Sequence, residues 1–169
     1  MFYRRRGFTL IEMMAVVIIM ALLATAAALS FARPMRVARA RDAVDQVRAL
    51  DASARQFARR FGRPIEIVFD LSNGKLARRE RDSIAFQTSL PRGCHIDEVR
   101  SAGQSFSLGE ASIPCAASGM SCSYAVHLLG PELDQWLVFA GLSGQVTQVN
   151  HVSQLDEILP QAYPRDDAD

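Results

Sequence analysis

The fold of this chain depends on the stretch GFTLIE at residues 7–12, which stands between Arg4-Arg5-Arg6 and a long apolar run. From Phe8 to Ala32 there are 25 residues, and Glu12 is the only one that carries a charge. A helix of this length measures about 38 Å, which is enough to cross the roughly 30 Å hydrocarbon core of a bilayer. The sequence therefore predicts a membrane-spanning helix over residues 8–32.

Glu12 needs a partner in such a setting, because a carboxylate inside a membrane helix costs on the order of 2.5–3.5 kcal/mol. Cleavage after Gly7 would create one, the α-amino group of Phe8, four residues before Glu12 and on the same helix face. The two groups could pair within one chain, but an amine from a neighbouring copy in a packed bundle is the better-placed partner. The stretch thus indicates an assembly signal.

These residues resemble the class III signal of type IV pilins and type II secretion pseudopilins. In that family a short basic leader ends in Gly, a Phe becomes N-methylated, and a Glu follows five residues into the mature chain. The resemblance implies a leader over residues 1–7, cleavage by a prepilin peptidase between Gly7 and Phe8, methylation of Phe8, and charge pairing by Glu12 during assembly. The residues that would then pack against neighbouring helices are Met13, Val16, Val17, Ile18 and Leu22.

Two ordinary alternatives account for part of this pattern. A secretory signal peptide has a basic start, an apolar stretch of roughly 7–15 residues and a small-residue cleavage site, for which Ala24-Thr25-Ala26 is a candidate. The run here is longer, carries Glu12 near its beginning and continues into a further helical pattern. The second alternative is a plain single-pass anchor. The pilin-type signal accounts for all of these features together.

Charge is divided unevenly along the chain, although the formal net charge is only +1. Residues 33–63 hold nine Arg and three Asp, whereas residues 64–169 hold seven basic and fourteen acidic residues. Cationic residues at the start of an apolar segment favour a cytoplasmic N-terminus, so we expect the bulk of the chain outside the inner membrane. At 169 residues, one domain beyond the membrane helix is expected.

A second helical segment is predicted over residues 33–63. Proline removes a helical hydrogen bond, so a bend or a local opening is expected at Pro34. Gly62 and Pro64 form a typical helix stop. Between these points apolar residues recur at spacings of three and four and predict one buried stripe: Val37, Ala40, Val44, Val47, Leu50, Ala54, Phe57 and Phe61.

The other face of this segment is rich in Arg and Asp. Its functional interpretation is contact with lipid head groups or nucleic acid, and the lipid contacts would be the membrane-proximal Arg33, Arg36, Arg39 and Arg41. The interpretation that we favour is a solvated face with neighbours three or four residues apart, such as Asp42–Gln46 and Asp51–Arg55.

From Pro64 onward the apolar period changes to two, which predicts strands, and Asn73-Gly74 predicts a hairpin turn. The predicted strands cover residues 65–70, 76–78, 83–88, 96–99, 104–108, 123–128, 135–140 and 145–149, and residues 78–82 and 112–121 are predicted as loops. This order predicts an α+β fold. The long N-terminal helix has a membrane-spanning first half and an amphipathic second half, which packs on an antiparallel β-sheet head over residues 64–150.

Parts of this head resemble minor pseudopilins of the GspH/FimT family. At its start the resemblance rests on Gly62-Arg63-Pro64, a strand closed by Asp70, and the Asn73-Gly74 turn. Near its end it rests on Tyr124-Ala125-Val126, residues 136–139 and the turn Gly141-Leu142-Ser143-Gly144. Residues 78–120 match no pattern, and residues 151–169 form an extension in which a short helix over residues 152–159 and a frayed acidic end are expected.

Few residues in the head carry recognisable chemistry. Because an oxidising compartment is expected outside the inner membrane, a Cys115–Cys122 disulfide is a candidate, and Cys94 would remain as a small buried residue. Cys94-His95 with His127 and His151 matches no zinc spacing, and no phosphate loop or nucleophile elbow is present. We therefore expect no metal, no cofactor and no enzymatic activity.

Together these resemblances imply a minor pseudopilin of a type II secretion system, a structural subunit for protein export. Its implied partners are a prepilin peptidase, other pilins or pseudopilins in a filament, inner-membrane lipid and proteins of the secretion platform. Two alternatives remain open: a minor type IV pilin of the FimT kind that acts in pilus assembly or DNA uptake, and a single-pass envelope protein that never polymerises. DNA uptake fits poorly, because the head is acidic and DNA binding needs a basic surface.

Overall fold

The computed structural model describes residues 9–81, 83–101, 103–150 and 154–155. The chain divides into two compact units, residues 1–36 and residues 37–169. The described residues form an α+β fold with one long helix, α1 (Leu10–Phe61), followed by nine short strands.

The start of α1 belongs to the first unit, and Thr9 immediately precedes the helix. The Thr9 carbonyl accepts hydrogen bonds from the backbone N–H groups of Glu12 and Met13, at 3.1 and 3.2 Å. The Met13 bond is the first regular bond of the helix, and the Glu12 bond satisfies one of the four N–H groups that a helix start leaves without such a partner.

The hydroxyl groups within the apolar part of α1 also find partners inside the helix. Thr25 Oγ1 donates to the Ala21 carbonyl at 2.8 Å, and Ser30 Oγ donates to the Ala26 carbonyl at 3.0 Å. Such bonds to the preceding turn let hydroxyl side chains lie in a helix that has no water around it.

Pro34 lies inside α1, and the chain remains helical on both sides of it. Of the two consequences expected at this residue, the local opening is therefore not observed. Proline costs the helix one backbone hydrogen bond, and the neighbouring turns retain their helical conformation.

In the second unit, α1 buries the predicted stripe. Its buried members have small or medium-sized side chains that let the helix approach a sheet closely: Ala40, Val44, Val47, Leu50 and Ala54, joined by Ala43 and Ala58. Val37 and Phe57 are only half-buried and Phe61 is exposed, so the predicted stripe fails at both of its ends. The helix stops at Gly62 (φ +61°), where the Arg63 N–H bonds the Ala58 carbonyl at 3.3 Å, a Schellman-type cap that confirms the predicted stop.

The strands form two antiparallel sheets. The first has four strands in the order β3-β2-β1-β6, and the second has five in the order β5-β4-β7-β8-β9. Their bounds are β1 Ile65–Asp70, β2 Lys75–Glu80, β3 Ser83–Ser89, β4 His95–Ser101, β5 Gln104–Phe106, β6 Glu110–Cys115, β7 Tyr124–Gly130, β8 Leu133–Phe139 and β9 Val146–Val149. Inner-face residues of both sheets share one core with the stripe of α1, including Ile67, Phe69, Val99, Ile113, Tyr124, Leu137 and Phe139.

The β1–β2 hairpin closes through the predicted Asn73-Gly74 turn. Asp70 Oδ1 accepts the Asn73 backbone N–H at 3.0 Å, and Asp70 Oδ2 accepts the Asn73 side-chain amide at 2.8 Å. Gly74 takes a φ of +61°, a conformation that glycine adopts without strain.

Two predicted loops are wrong. β2 runs to Glu80, so most of the segment 78–82 is strand, and β6 runs into the segment 112–121 and pairs with β1. In β6, Ala111, Ile113 and Cys115 are buried while the residues between them are exposed. The period of two was therefore present, but small and polar residues concealed it.

The extension after β9 is described only at Gln154 and Leu155, which are helical; the rest of the helix predicted over residues 152–159 lies outside the described residues. Leu155 is buried in a second, smaller cluster, whose other members are Ala125, Trp136, Val138 and Val149. These residues belong to β7, β8 and β9, so Leu155 covers part of the outer face of the second sheet.

Candidate assembly site

Only part of the predicted signal lies within the described residues. Gly7 and Phe8, the predicted cleavage and methylation residues, lie outside them. Glu12 lies in the first turn of α1 with its side chain exposed. At this end of a helix the backbone dipoles favour a negative charge, so the carboxylate occupies the part of the apolar segment that tolerates it best.

The helix that carries Glu12 presents an apolar surface that the described chain does not cover. From Leu10 to Ala27 no side chain is buried, and the segment is long and apolar enough to cross a membrane. The residues predicted to pack against neighbouring helices are all exposed: Met13, Val16, Val17, Ile18 and Leu22. Soluble proteins rarely expose so extensive an apolar surface, so lipid or other apolar helices have to cover it.

A second set of polar residues lies in the head, where α1 meets the second sheet. Arg55 and Asp51 are 3% and 2% exposed, and the Arg55 Nε–Asp51 Oδ2 distance is 2.8 Å. Tyr124, fully buried on β7, donates its hydroxyl proton to Asp51 Oδ1 at 2.8 Å. We call Asp51, Arg55 and Tyr124 the buried triad.

The triad ties α1 to two loops. Arg55 Nη1 donates to the Gly141 carbonyl at 2.7 Å and to the Gly119 carbonyl at 3.2 Å, and Arg55 Nη2 donates to Ser121 Oγ at 2.9 Å. Each guanidinium nitrogen therefore has at least one acceptor, which is the condition under which a charged group tolerates burial.

Burial and the negative charge of Asp51 have opposite effects on the pKa of Arg55. Loss of water would by itself lower the pKa of Arg55, but the hydrogen bonds and negative charge of Asp51 outweigh that effect and raise the pKa above its usual value. Burial, together with the nearby Asp51 carboxylate, raises the pKa of Tyr124 well above its usual value. The Arg55 guanidinium thus stays charged and the Tyr124 hydroxyl stays a hydrogen-bond donor, so the triad joins α1 to β7.

The sequence interpretation of Asp51–Arg55 as a solvated pair is therefore wrong. Asp42 and Gln46, an exposed and a half-buried residue, are bonded at 3.2 Å as the predicted neighbours. The signal that could have separated the two cases lies in the spacing. Asp51 follows the buried Val47 by four residues, and Arg55 precedes the buried Ala58 by three. Both charges thus lie within the apolar stripe rather than opposite it.

The candidate disulfide is not formed, since Cys94, Cys115 and Cys122 are all free thiols in the structure. Cys115 forms a β-bridge with Ser121, and the next residue, Cys122, is half-buried at the edge of the core that contains Cys115. There the Cys122 sulfur lies 3.1 Å from Ser101 Oγ. Burial raises the pKa of the Cys115 thiol and of the Cys94 thiol.

Cys94 and His127 do not form a metal site within the described residues. His127 lies between two carboxylates, with Nδ1 3.1 Å from Asp97 Oδ2 and Nε2 3.0 Å from Asp134 Oδ1, and its ring stacks on Trp136. Cys94 lies elsewhere, against the Arg39 carbonyl, and His151 lies outside the described residues. Among the described residues, no group of three His, Cys, Asp or Glu side chains is arranged to hold a metal ion.

Comparison with known proteins bears on the N-terminal stretch. The family model described as the prokaryotic N-terminal methylation motif matches residues 3–28. The match includes Gly7, Phe8 and Glu12 and confirms that the chain begins with a pilin-like methylation motif. No curated protein matches the chain.

Among solved structures, the chain is similar to the minor pseudopilin EpsH from the Type 2 Secretion System of Vibrio cholerae. The TM-score is 0.49 and the sequence identity 10%, over 66% of this chain and 95% of that chain.

Proposed function

We propose that this protein is a minor pseudopilin, a structural subunit without enzymatic activity that contributes to a short filament of a type II secretion system. The observation that carries the proposal is the helix over residues 10–27, which is apolar, exposed and lies within the match to the methylation motif over residues 3–28. The GspH/FimT-like segments at residues 62–74 and 124–144 favour this assignment over a major pilin.

In this proposal a prepilin peptidase removes residues 1–7 and methylates the new N-terminus at Phe8. The apolar helix then holds the subunit in the inner membrane with its N-terminus in the cytoplasm and its head in the periplasm. The subunit leaves the lipid when the helices of neighbouring pseudopilins and the secretion platform draw it into the filament.

Glu12 supplies the register of assembly. Its carboxylate would pair with the Phe8 amine of an adjacent subunit, because an unpaired charge among packed apolar helices is costly. Pairing between copies, rather than within one, would make the correctly staggered arrangement the most stable.

The test compares Glu12→Ala and Glu12→Gln with the native chain, in cells that express the peptidase and the sibling pilins. Both variants should insert into the membrane and lose their leader normally, but the amount recovered in sheared filaments should fall at least about tenfold, since a lost charge pair of about 1.4 kcal/mol or more has this effect. Asp45→Ala removes an exposed acid from α1 outside the apolar segment and should assemble normally. Normal incorporation of both Glu12 variants would show that the charge-pairing mechanism is wrong.

A further inference from the structure

Among the described residues, β3 is an edge strand of the first sheet that pairs with β2 alone, in the order β3-β2-β1-β6. Its side chains are exposed on both faces apart from the half-buried Thr88. Ile84 and Phe86 are 55% and 46% exposed. The strand has seven residues, SIAFQTS, without a charge or a proline, whereas native edge strands are commonly protected by one or the other.

The other three edge strands among the described residues are shorter than β3, and one of them contains a proline. β6, at the opposite edge of the same sheet, contains Pro114 and starts at Glu110, while the edge strands of the second sheet, β5 and β9, have three and four residues. β3 is thus the longest and least protected of the four edges.

The hydrogen-bond pattern shows which backbone groups of β3 face outward. The Leu90 N–H donates to the Gly74 carbonyl at 3.0 Å, and bonded pairs alternate along an antiparallel ladder. Leu76–Thr88 is therefore a bonded pair, while Gln87 and Ser89, which face Ala77 and Lys75, point their N–H and C=O groups away from β2. These groups can pair with a further strand.

A cavity of about 300 Å³ lies beside the start of β3, with Phe57, Pro64 and Ile65 as its apolar lining and Arg63, Arg81, Glu80 and Ser83 as its polar lining. Glu80 is already paired with Arg78 at 3.2 Å, so the two remaining guanidinium groups give this cavity a positive character. Arg78 also stacks on the Phe57 ring at 4.1 Å and faces Phe86 across the strand pair. The aromatic and cationic surface therefore continues from the cavity to β3.

We propose that β3 and this cavity together form a docking site for an extended segment of another protein, one that adds a strand to β3 and places an apolar side chain next to a carboxylate in the cavity. Backbone bonds to a sheet edge, with a pocket for side chains, are a general mode of peptide recognition. The guanidinium groups of Arg63 and Arg81 in the cavity are the reason why the bound segment should carry a carboxylate there. A second copy of β3 would supply no acid, because that strand carries no charge. The inference goes beyond the assembly function proposed above and does not depend on it.

The test uses the full-length protein in uncharged-lipid nanodiscs and a fluorescent, blocked peptide, acetyl-Glu-Phe-Thr-Val-Thr-Val-Glu-amide. Fluorescence anisotropy should give a Kd below about 1 mM, which corresponds to a binding free energy of roughly −4 kcal/mol. Amide hydrogen exchange should slow within residues 83–89. Two control peptides, one with Lys in place of Glu and one N-methylated at alternate amides, should each bind at least about fivefold more weakly, the effect of losing a single net hydrogen bond of about 1 kcal/mol.

On the protein side, Gln87→Pro removes an outward N–H that β2 does not use, whereas Gln87→Ala removes the same side chain and keeps the N–H. The proline variant should bind at least about fivefold more weakly and the alanine variant like the native chain. Arg63→Glu with Arg81→Glu should abolish the preference for the acidic peptide.

The proposal is overturned if the acidic peptide does not bind, if it binds no better than its two controls, or if protection from hydrogen exchange appears away from β3. Concentration-dependent self-association through β3, detected by sedimentation and lost in Gln87→Pro, would instead assign the edge to a second copy.

Discussion

At the scale of single residues, two acids in α1 have opposite surroundings. Glu12 is exposed on an apolar helix, and its proposed partner would come from another molecule. Asp51 is buried, and its partners, Arg55 and Tyr124, lie within the same head. One acid is therefore suited to assembly between subunits, while the other stabilises a single subunit.

Arg55→Met should destabilise the head by about 3–5 kcal/mol, because it leaves the Asp51 carboxylate buried without its counter-charge. Chemical unfolding of the full chain in detergent, followed through Trp136 fluorescence, measures the loss. Arg41→Met is the control, since Arg41 is exposed on the same helix and its replacement should change the free energy of unfolding by no more than about 0.5 kcal/mol. A loss below about 1 kcal/mol for Arg55→Met would mean that the triad contributes little.

Glu12 could be recognised from the sequence, whereas the burial of Asp51 and Arg55 could not. A lone acid in a 25-residue apolar run is visible locally, so Glu12 could be identified from its neighbours. An Asp and an Arg four residues apart give the same sequence pattern whether the pair is exposed or buried. Burial of this pair depends on Tyr124 and on the carbonyls of Gly119 and Gly141, which lie more than 60 positions away along the chain.

At the scale of elements, the helix and the strands with bulky apolar residues were predictable, and β6 was not. The stripe from Ala40 to Ala54 and the hairpin at Asn73-Gly74 follow from local periodicity and turn chemistry. β6 has the small residues Ala111 and Cys115 at two of its three buried positions, so its position in the sheet depends on pairing with β1. The exposed edge at β3 likewise follows from strand order, which periodicity does not determine.

The contact between the loop at Gly141 and the segment at Ser121 predicts a strong effect of one methyl group. A Cβ at Gly141 would lie 2.2 Å from the Ser121 carbonyl oxygen, so Gly141→Ala should cost about 3 kcal/mol or more. Gly109→Ala is the control: it has a φ of +77° but no heavy atom within 4 Å of the added carbon, and backbone strain alone should cost about 1–2 kcal/mol. Equal losses of thermal stability in the two variants would contradict the close packing of these loops.

The β4–β5 pair predicts a pH dependence. Hydrogen bonds from Arg100, and then from Ser105, lower the pKa of Glu98. A lowered pKa in the folded state means that the stabilisation is present above the usual Glu value of about 4.3 and is lost as the pH falls through the folded-state value. Unfolding midpoints measured from about pH 6 to pH 3 should therefore decline less steeply for Glu98→Gln than for the native chain. An unchanged slope would show that Glu98 contributes nothing to acid sensitivity.

At the scale of the whole molecule, charge separates the proposed export role from DNA uptake. Residues 64–169 carry twice as many acidic as basic residues, and DNA binding depends on neutralising phosphates with Lys and Arg. The helix is part of the core of the head, so an experiment on residues 64–169 alone would not test a folded protein.

The full chain in uncharged-lipid nanodiscs should therefore give no gel shift with duplex DNA at physiological salt. Removal of salt should not reveal a strong complex, because the acidic head over residues 64–169 offers few phosphate contacts. A firm shift that weakens steeply as salt is added would favour the DNA-uptake alternative over the export role.

The most direct measurement of the central claim is the N-terminal residue of the mature chain. The protein is extracted from membranes of a host with an active prepilin peptidase and analysed by intact-mass and fragment mass spectrometry. The mature chain is expected to start at Phe8 and to carry one methyl group on its α-amine. A chain that still starts at Met1, or one cut near Ala27, would contradict it.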